Sequence, residues 1–366
     1  MFDRRLVANF DWTLLFVALA LSALGIINIY SAGSFSLNNV PASFFLKQIY
    51  WLLVCFIILI IIVAVDYQFI ARHGYLLHGV SLALLFIALI WGGPTAGTHR
   101  WLRIGSFSFQ PSELAKISLV IALSYSLSGT TPPAVSRYQG LALPALITSV
   151  TFLLVFLEPD LGTAALLFII STCFLFLVRL ELKQIAVVVV SGLLLLPCSL
   201  FFLEDYQKRR IVTFLNPSQD SLRAGYQAIQ SKIAIGSGML SGKGFMSGTQ
   251  SQLRFLPEQH TDFAFSVWAE EWGFFGSLLL LVLFFLLISK GLKTASLARD
   301  RLGSFISIGL VLILFWQVTI NIGMVCGLLP IVGVPLPFIS YGGSSLLTNW
   351  VIIGILLNIR MRRLTF

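Results

Sequence analysis

Ten runs of predominantly apolar residues follow one another along this chain, each about the 20 residues that an α-helix needs to cross a bilayer. Their cores read 12–31, 46–65, 74–92, 111–128, 139–157, 161–179, 184–203, 263–289, 303–329 and 344–360. The fifth and sixth are parted only by Glu158-Pro159-Asp160, a proline-broken turn. Of the 366 residues 57% are hydrophobic and 11% charged, too little charge for the surface of a soluble domain of this length. The expected fold is all-α: one polytopic membrane domain over residues 1–366, with ten transmembrane helices. The N-terminal MFDRRLVANFDW leads into an apolar run too long for a signal-peptide core, and no small-residue cleavage site follows it. Cys55, Cys173, Cys198 and Cys326 all fall in apolar runs and read as packing residues, without disulfide or zinc spacing.

Orientation follows from the basic residues. An even number of spans puts both ends on one side, and that side collects Arg4, Arg5, Arg72, Lys290, Arg299 and Arg360 among others. The short loops 32–45 and 330–343 on the other side carry no Lys or Arg, so both termini are expected in the cytoplasm. The net charge of +9 is partly this topology signal, and no soluble basic domain exists to bind nucleic acid.

Residues 204–262 are expected to form the one long connection, facing outward between spans seven and eight. It carries Lys208, Arg209, Arg210, Arg223, Lys232, Lys243 and Arg254, is rich in glycine, and runs directly into Asp262. A connection of that length in a compact protein is usually functional. Its AIGSGMLSGKG run fails the Walker pattern, because Ser237 stands in the place of the first Gly and Gly244 follows Lys243. The glycines license only a backbone that approaches a ligand closely. No internal repeat of the transporter kind is present.

Three acids sit in or beside the eighth span. On a helix starting near Thr261, Asp262, Ser266, Ala269, Glu270, Gly273 and Ser277 share one polar or small stripe. Glu270 then lies roughly 12 Å deeper than Asp262. The helix dipole accounts for an acid at the start. It accounts for neither Glu270 nor Glu271, each costing at least ~2 kcal/mol against lipid, and buried pairing or packing explains those two before catalysis does.

In FQPSELAKI, Pro111 and Glu113 suit a first helical turn, and Lys116 can pair with Glu113 three residues earlier. A structural staple and a ligand-facing pair both fit. Asp160 in EPDLGT reads as the N-cap of the sixth span, bonded to Gly162 or Thr163, while the role of Glu158 stays open. Arg100 and Arg103 flank Trp101 at the outer interface, suited to anchoring and also to phosphate. Gln317 and Asn321 fit interhelical hydrogen bonds. The irregular PIVGVPLPFISYGGSS must be buried in protein or line a wet cavity. His73 and His78 read as ordinary interface residues.

QPSELAK, EPDLGT, QSKIAIGSG, GKG…GTQSQ, FLPEQHTDF, AEEWG and PFISYGGSS together resemble the SEDS family of cell-wall polymerases. GTQSQLRFLPEQHTDF is closer to its elongation member than to its division member. Trp268 and Trp272 are bulkier than the family's usual aliphatics, and Gln259 stands where Arg or Ala is frequent. The resemblance implies peptidoglycan polymerisation from lipid II at the outer face of the bacterial cytoplasmic membrane. It implies a class B penicillin-binding protein and other elongation-complex membrane proteins as partners. The family's essential acid falls on Asp262, and its Glu–Lys pair on Glu113 and Lys116.

On that reading Asp262 is the general base for the acceptor sugar's C4 hydroxyl, or orients it. Lys116, Arg209, Arg210, Lys232 and Arg254 are candidates to meet the charge leaving on pyrophosphate. Glu158, Asp160, His260 and Arg103 complete the substrate-facing set. A Mg or Mn ion is compatible with this chemistry, although no dedicated ligand cluster is visible. An α-linked donor and a β-linked product point to one inverting displacement, without a second nucleophilic carboxylate. A flippase for lipid-linked sugars and a non-catalytic transpeptidase scaffold each fit in part. The outward Asp262 and basic loop weigh against the first, the intramembrane acids against the second.

Overall fold

The structure is a computed structural model that describes residues 9–33, 41–92, 100–104, 107–129, 139–177, 205–215, 224–253 and 255–364. Helices α1 (Trp12–Gly33), α2 (Pro41–Ala64), the short α3 (Tyr67–Arg72) and α4 (Gly74–Trp91) lead to a hairpin of β1 (Leu102–Ile104) and β2 (Phe107–Phe109). Then come α5 (Pro111–Ser128), α6 (Gln139–Leu157), α7 (Leu161–Leu177), α8 (Asp205–Leu215) and α9 (Ala224–Ser237). A single turn, α10 (Thr249–Gln252), precedes α11 (Ala264–Ser296), α12 (Arg301–Val325) and α13 (Gly343–Met361).

Nine of the ten expected spans coincide with helices to within a few residues, and the seventh, 184–203, lies outside the described residues. Among the described residues α1, α2, α4, α11, α12 and α13 are long and apolar enough to cross a membrane, while α6 and α7 are apolar but shorter. The protein is a multi-pass, all-α membrane protein. The hairpin is an addition to that expectation. Leu-Arg-Ile and Phe-Ser-Phe alternate with the period of a strand and pair antiparallel, Arg103 opposite Ser108. The connection expected as a loop over 204–262 is also different, since it contains α8, α9 and α10.

The chain divides into two compact units. The first comprises Met1–Val65, Arg210–Leu297 and Leu314–Phe366. In it α13 packs along α2 and closes the end of that helix. Asn358 Nδ2 donates to the main-chain oxygens of Ile62 and Val65, and Arg362 Nη1 to that of Val63 at 3.3 Å, so terminal carbonyls that α2 cannot satisfy internally find donors. On another side α9 lies against α11. Ser231 and Ala234 are buried one turn apart, and Ser231 Oγ meets Ser266 Oγ at 2.9 Å and the Val325 carbonyl at 2.7 Å.

Helix α11 is broken inside its apolar run. Gly273 has φ 63° and ψ −156°, a conformation essentially reserved for glycine. The amides beyond it turn to the glycine-rich segment: Phe274 N bonds Met239 O at 2.8 Å and Phe275 N bonds Leu240 O at 3.2 Å. In return Lys243 N and Gly244 N bond the carbonyls of Glu270 and Glu271, each at 3.0 Å. A Cβ on Gly273 would lie 2.3 Å from Gly242 N. The close approach expected of these glycines is thus to the backbone of α11 and not to a ligand.

The second unit comprises Asp66–Arg209 and Ala298–Ile313. Its α4, α5 and α6 meet around His78, which is buried. One ring nitrogen, Nδ1, lies 3.2 Å from Ser118 Oγ and the other, Nε2, 3.0 Å from Thr151 Oγ1. His78 is therefore an interior three-helix link, which corrects its reading as an interface residue. His73, by contrast, is exposed.

Candidate active site

The turn that carries Asp262 is held at nearly every residue. Gln259 Nε2 donates to Ala32 O at 2.8 Å, at the end of α1. His260 O accepts from Tyr341 N at 2.8 Å, and Thr261 O accepts from Ser340 Oγ. Asp262 O accepts from Asn321 Nδ2 at 3.0 Å, and Ala264 O from Asn28 Nδ2 at 2.9 Å. Helices α1 and α12 and the 326–342 connection thus fix one short stretch of main chain. The half-buried Asp262 carboxylate points beside Gly333, where a built Cβ would lie 3.3 Å from Oδ2. Helix α11 begins at Ala264, its capping residue is Phe263, and that cap makes no side-chain bond. Asp262 accordingly lies two residues ahead of the helix, which replaces the helix start expected near Thr261.

The two deeper acids have other work. Glu270 is fully buried and accepts from Lys243 Nζ at 2.7 Å, Thr249 Oγ1 at 3.2 Å, Gln250 N at 2.9 Å and Ser251 N at 3.2 Å. It ties α10 and the glycine-rich segment to α11. Glu271 is buried too, and its Oε1 accepts from Ser31 Oγ of α1. Both acids hold α11 among its neighbours.

Two of the basic candidates share one cleft. Arg210 of α8 and Lys232 of α9 line it together with Phe214, Met324, Leu329 and Ile331 among others. Arg210 Nη1 donates to Ile331 O at 3.1 Å. The side chain of Arg209, and Arg254 altogether, lie outside the described residues.

The remaining candidates belong to the second unit. Glu113 and Lys116 on α5 form a buried ion pair, with Nζ 2.7 Å from Oε1. Asp160 caps α7 through Thr163, accepting from its amide at 3.2 Å and its hydroxyl at 2.9 Å. It also accepts from Gln110 Nε2 at 3.1 Å and faces Arg100 Nη1 at 3.6 Å. Glu158 lies in the turn between α6 and α7 with 0% exposure, and neither carboxyl oxygen has a hydrogen-bond partner among the described residues. Burial pushes its carboxyl up to about 9, with Asp160 adding to the rise and Arg100 opposing it. Arg103 is exposed on β1.

A family model described as cell cycle protein, covering FtsW, RodA and SpoVE, matches residues 11–364. The chain belongs to the FtsW/RodA/SpoVE family. The peptidoglycan glycosyltransferase MrdB of Escherichia coli K12 is 41% identical over 356 residues, 97% of this chain and 94% of that protein. A probable peptidoglycan glycosyltransferase FtsW of Trichlorobacter lovleyi is 37% identical over 361 residues, 96% of this chain and 93% of that one. Among solved structures, one chain of a peptidoglycan synthase complex superposes with a TM-score of 0.83 at 31% identity, covering 98% of this chain and 99% of that one. The Thermus thermophilus rod shape determining protein RodA gives 0.73 at 29%, covering 98% of each.

For this FtsW/RodA/SpoVE chain, the sequence reading missed Asn321 as an anchor of the Asp262 turn. Its pattern signal was present, since an Asn in the interior of an apolar run must find acceptors. Asn28, in α1, carried the same signal. Gln317, one turn before Asn321, is buried with no side-chain partner among the described residues.

Proposed function

We propose that this protein is a peptidoglycan glycosyltransferase that polymerises lipid II at the outer face of the bacterial cytoplasmic membrane, for wall elongation and rod shape. Family membership and similarity to MrdB over nearly the whole chain support the activity. The observation that carries the site is the Asp262 turn, a half-buried carboxylate on main chain that accepts from four separate donors, while Gln259 Nε2 ties the same turn to Ala32 O. Preorganised placement of this kind is what a positioned base requires.

The reaction forms a bond between the acceptor's C4 oxygen and C1 of the donor sugar, while the C1–O bond to pyrophosphate breaks. The hydroxyl proton passes to the Asp262 carboxylate, and polyprenyl pyrophosphate leaves with the electron pair. A carboxylate is a weak base at neutral pH, so the proton moves late, as negative charge departs on the leaving group. Gly333 borders the Asp262 carboxylate, and its segment would flank the acceptor. Among the described residues no group of three or more His, Cys, Asp or Glu could hold a metal ion, and the steps assigned here run through side chains.

The finer topology belongs to the same reading: ten spans, both termini cytoplasmic, and the 204–262 connection outside. One family module covers 1–366, with a class B penicillin-binding protein as transpeptidase partner. The test is purified protein with that partner and lipid II, read as glycan chains on a gel. Glycan ladders are expected. Movement of fluorescent lipid II across vesicles without any glycan would replace this reading with a flippase.

A further inference from the structure

Three arginines lie at the end of α13, and the fold uses them unequally. Arg362 donates to the main-chain oxygens of Val63 and Ala64 and to Asn358 Oδ1, which ties its guanidinium to the end of α2. Arg360 and Arg363 are served less well. Arg363 Nη2 donates to Asn9 Oδ1 at 3.1 Å, but its Nε, like Nη1 of Arg360, is shut from solvent without an acceptor among the described residues.

Two cations share one acid here. Lys290 Nζ of α11 lies 4.0 Å from Asp11 Oδ1, and Arg360 Nε lies 3.9 Å from Asp11 Oδ2, both beyond hydrogen-bond reach. Asp11 Oδ1 is already committed, because it accepts from Leu14 N at 3.1 Å and so caps α1. With Arg363 bonded to Asn9, three positive side chains gather around the start of α1, which offers them one carboxylate. The helix dipole favours cations at the ends of α11 and α13, yet it leaves these guanidinium donors unmatched. We propose that the cluster binds the phosphodiester of an anionic phospholipid, where α1 begins and α11 and α13 finish.

A phosphodiester supplies what the cluster lacks. Its free oxygens accept several N–H bonds at once, and they suit both a planar guanidinium fork and a compact ammonium. The open side is that of the lysine, with 30% side-chain exposure against 12% for Arg360, so the head group enters there. The surface alongside fits the rest of a lipid. Phe10, Trp12 and Phe16 form an aromatic strip with ring centroids 4.7 and 6.3 Å apart, and Trp12 and Phe16 are more than half exposed. Such rings settle at the level of head groups and upper acyl chains. On the orientation proposed above, this is the inner leaflet; the site itself does not depend on the polymerase reading.

Inorganic phosphate offers the same oxygens without acyl chains, so the test separates the two sources. Delipidated full-length protein in detergent is titrated with phosphatidylglycerol and followed by native mass spectrometry, with phosphatidylcholine and inorganic phosphate as competitors. One phosphatidylglycerol should stay bound against an equal concentration of either competitor. Lys290→Gln combined with Arg363→Gln should weaken that binding at least ~10-fold, the scale of a lost charge-assisted contact. Arg360→Gln should act in the same direction, and the Lys290/Arg363 pair keeps the test valid if that variant fails to fold. Arg299→Gln removes an exposed arginine from the α11–α12 connection and should leave binding within about twofold, since salt screens exposed charges outside the site. Equal weakening by Arg299→Gln would reveal a diffuse positive field in place of a site. Displacement by inorganic phosphate would make free phosphate the ligand, and unchanged binding in the double variant would remove these residues from it. Any of the three results overturns the proposal.

Discussion

Asn321 is bonded to the turn that carries Asp262 through main chain: its Nδ2 donates to Asp262 O at 3.0 Å and to Val334 O at 2.7 Å. One amide on α12 thus joins the segment bearing the acid to the segment that borders its carboxylate. Asn321→Ala should unpair two largely buried carbonyls, at roughly 1–3 kcal/mol each when no water replaces the donor. The expected result is a kcat for lipid II polymerisation reduced at least tenfold with KM little changed, together with a lower Tm. A kcat equal to wild type would remove Asn321 from the positioning of Asp262.

Glu113 and Lys116 form a sealed pair in the second unit, and breaking one side leaves a buried charge alone. Glu113→Gln and Lys116→Met should each lower Tm, and the double variant should recover part of the loss. Lost polymerisation at unmoved Tm in either single variant would instead place that residue on substrate. Two silent variants would refute both roles.

Glu158 offers a pH test. Its carboxyl rises from an ordinary 4.5 to about 9 in the folded protein, chiefly through burial. An acid with a raised folded value binds its proton more tightly in the fold than when unfolded, so its contribution is fully present below about 4.5 and is lost as pH climbs through about 9. Wild type should therefore lose Tm between pH 5 and pH 9 more steeply than Glu158→Gln, a neutral stand-in for the protonated acid. Identical slopes would contradict the buried, protonated Glu158.

Glu270→Ala should be destabilising rather than selectively inactivating. It strips four donors of their acceptor and leaves Lys243, itself a quarter exposed, without its partner. A loss of roughly 3 kcal/mol is expected, reduced from a fully buried pair by that exposure. Thermal unfolding and limited proteolysis within 238–253 should report it. A normal Tm with abolished polymerisation would make Glu270 part of the chemistry.

Much of this architecture was legible because lipid imposes a length and a polarity on each span, and the apolar runs at 12–31, 74–92 and 344–360 return as α1, α4 and α13 with nearly the same ends. The motif singled out Asp262, which lies half-buried beside Gly333. The break at Gly273 was not legible, since WGFFGSLLLL reads as an unbroken apolar helix. What breaks it is a set of hydrogen bonds offered by residues 239–244, which lie far outside any local window. The same interlock explains why the glycine run resembled a ligand loop. Helix α8 was hidden by its polar, basic composition and α9 by its small and polar residues, because their burial comes from packing on α11 and on the 326–342 connection. His78 and Asn321 depend on partners 40 or more residues distant in one case and 59 in the other, which no periodicity reports.

The most direct test of the account is polymerisation of lipid II by the purified wild type and by Asp262→Asn, each with the transpeptidase partner, read as glycan chains on a gel. Asparagine keeps the size of the side chain and leaves the backbone bonds of residues 259–264 in place, so folding and partner binding should be retained while glycan synthesis is lost. Wild-type-length glycan strands made at a comparable rate by Asp262→Asn would contradict the assignment of Asp262 as the base.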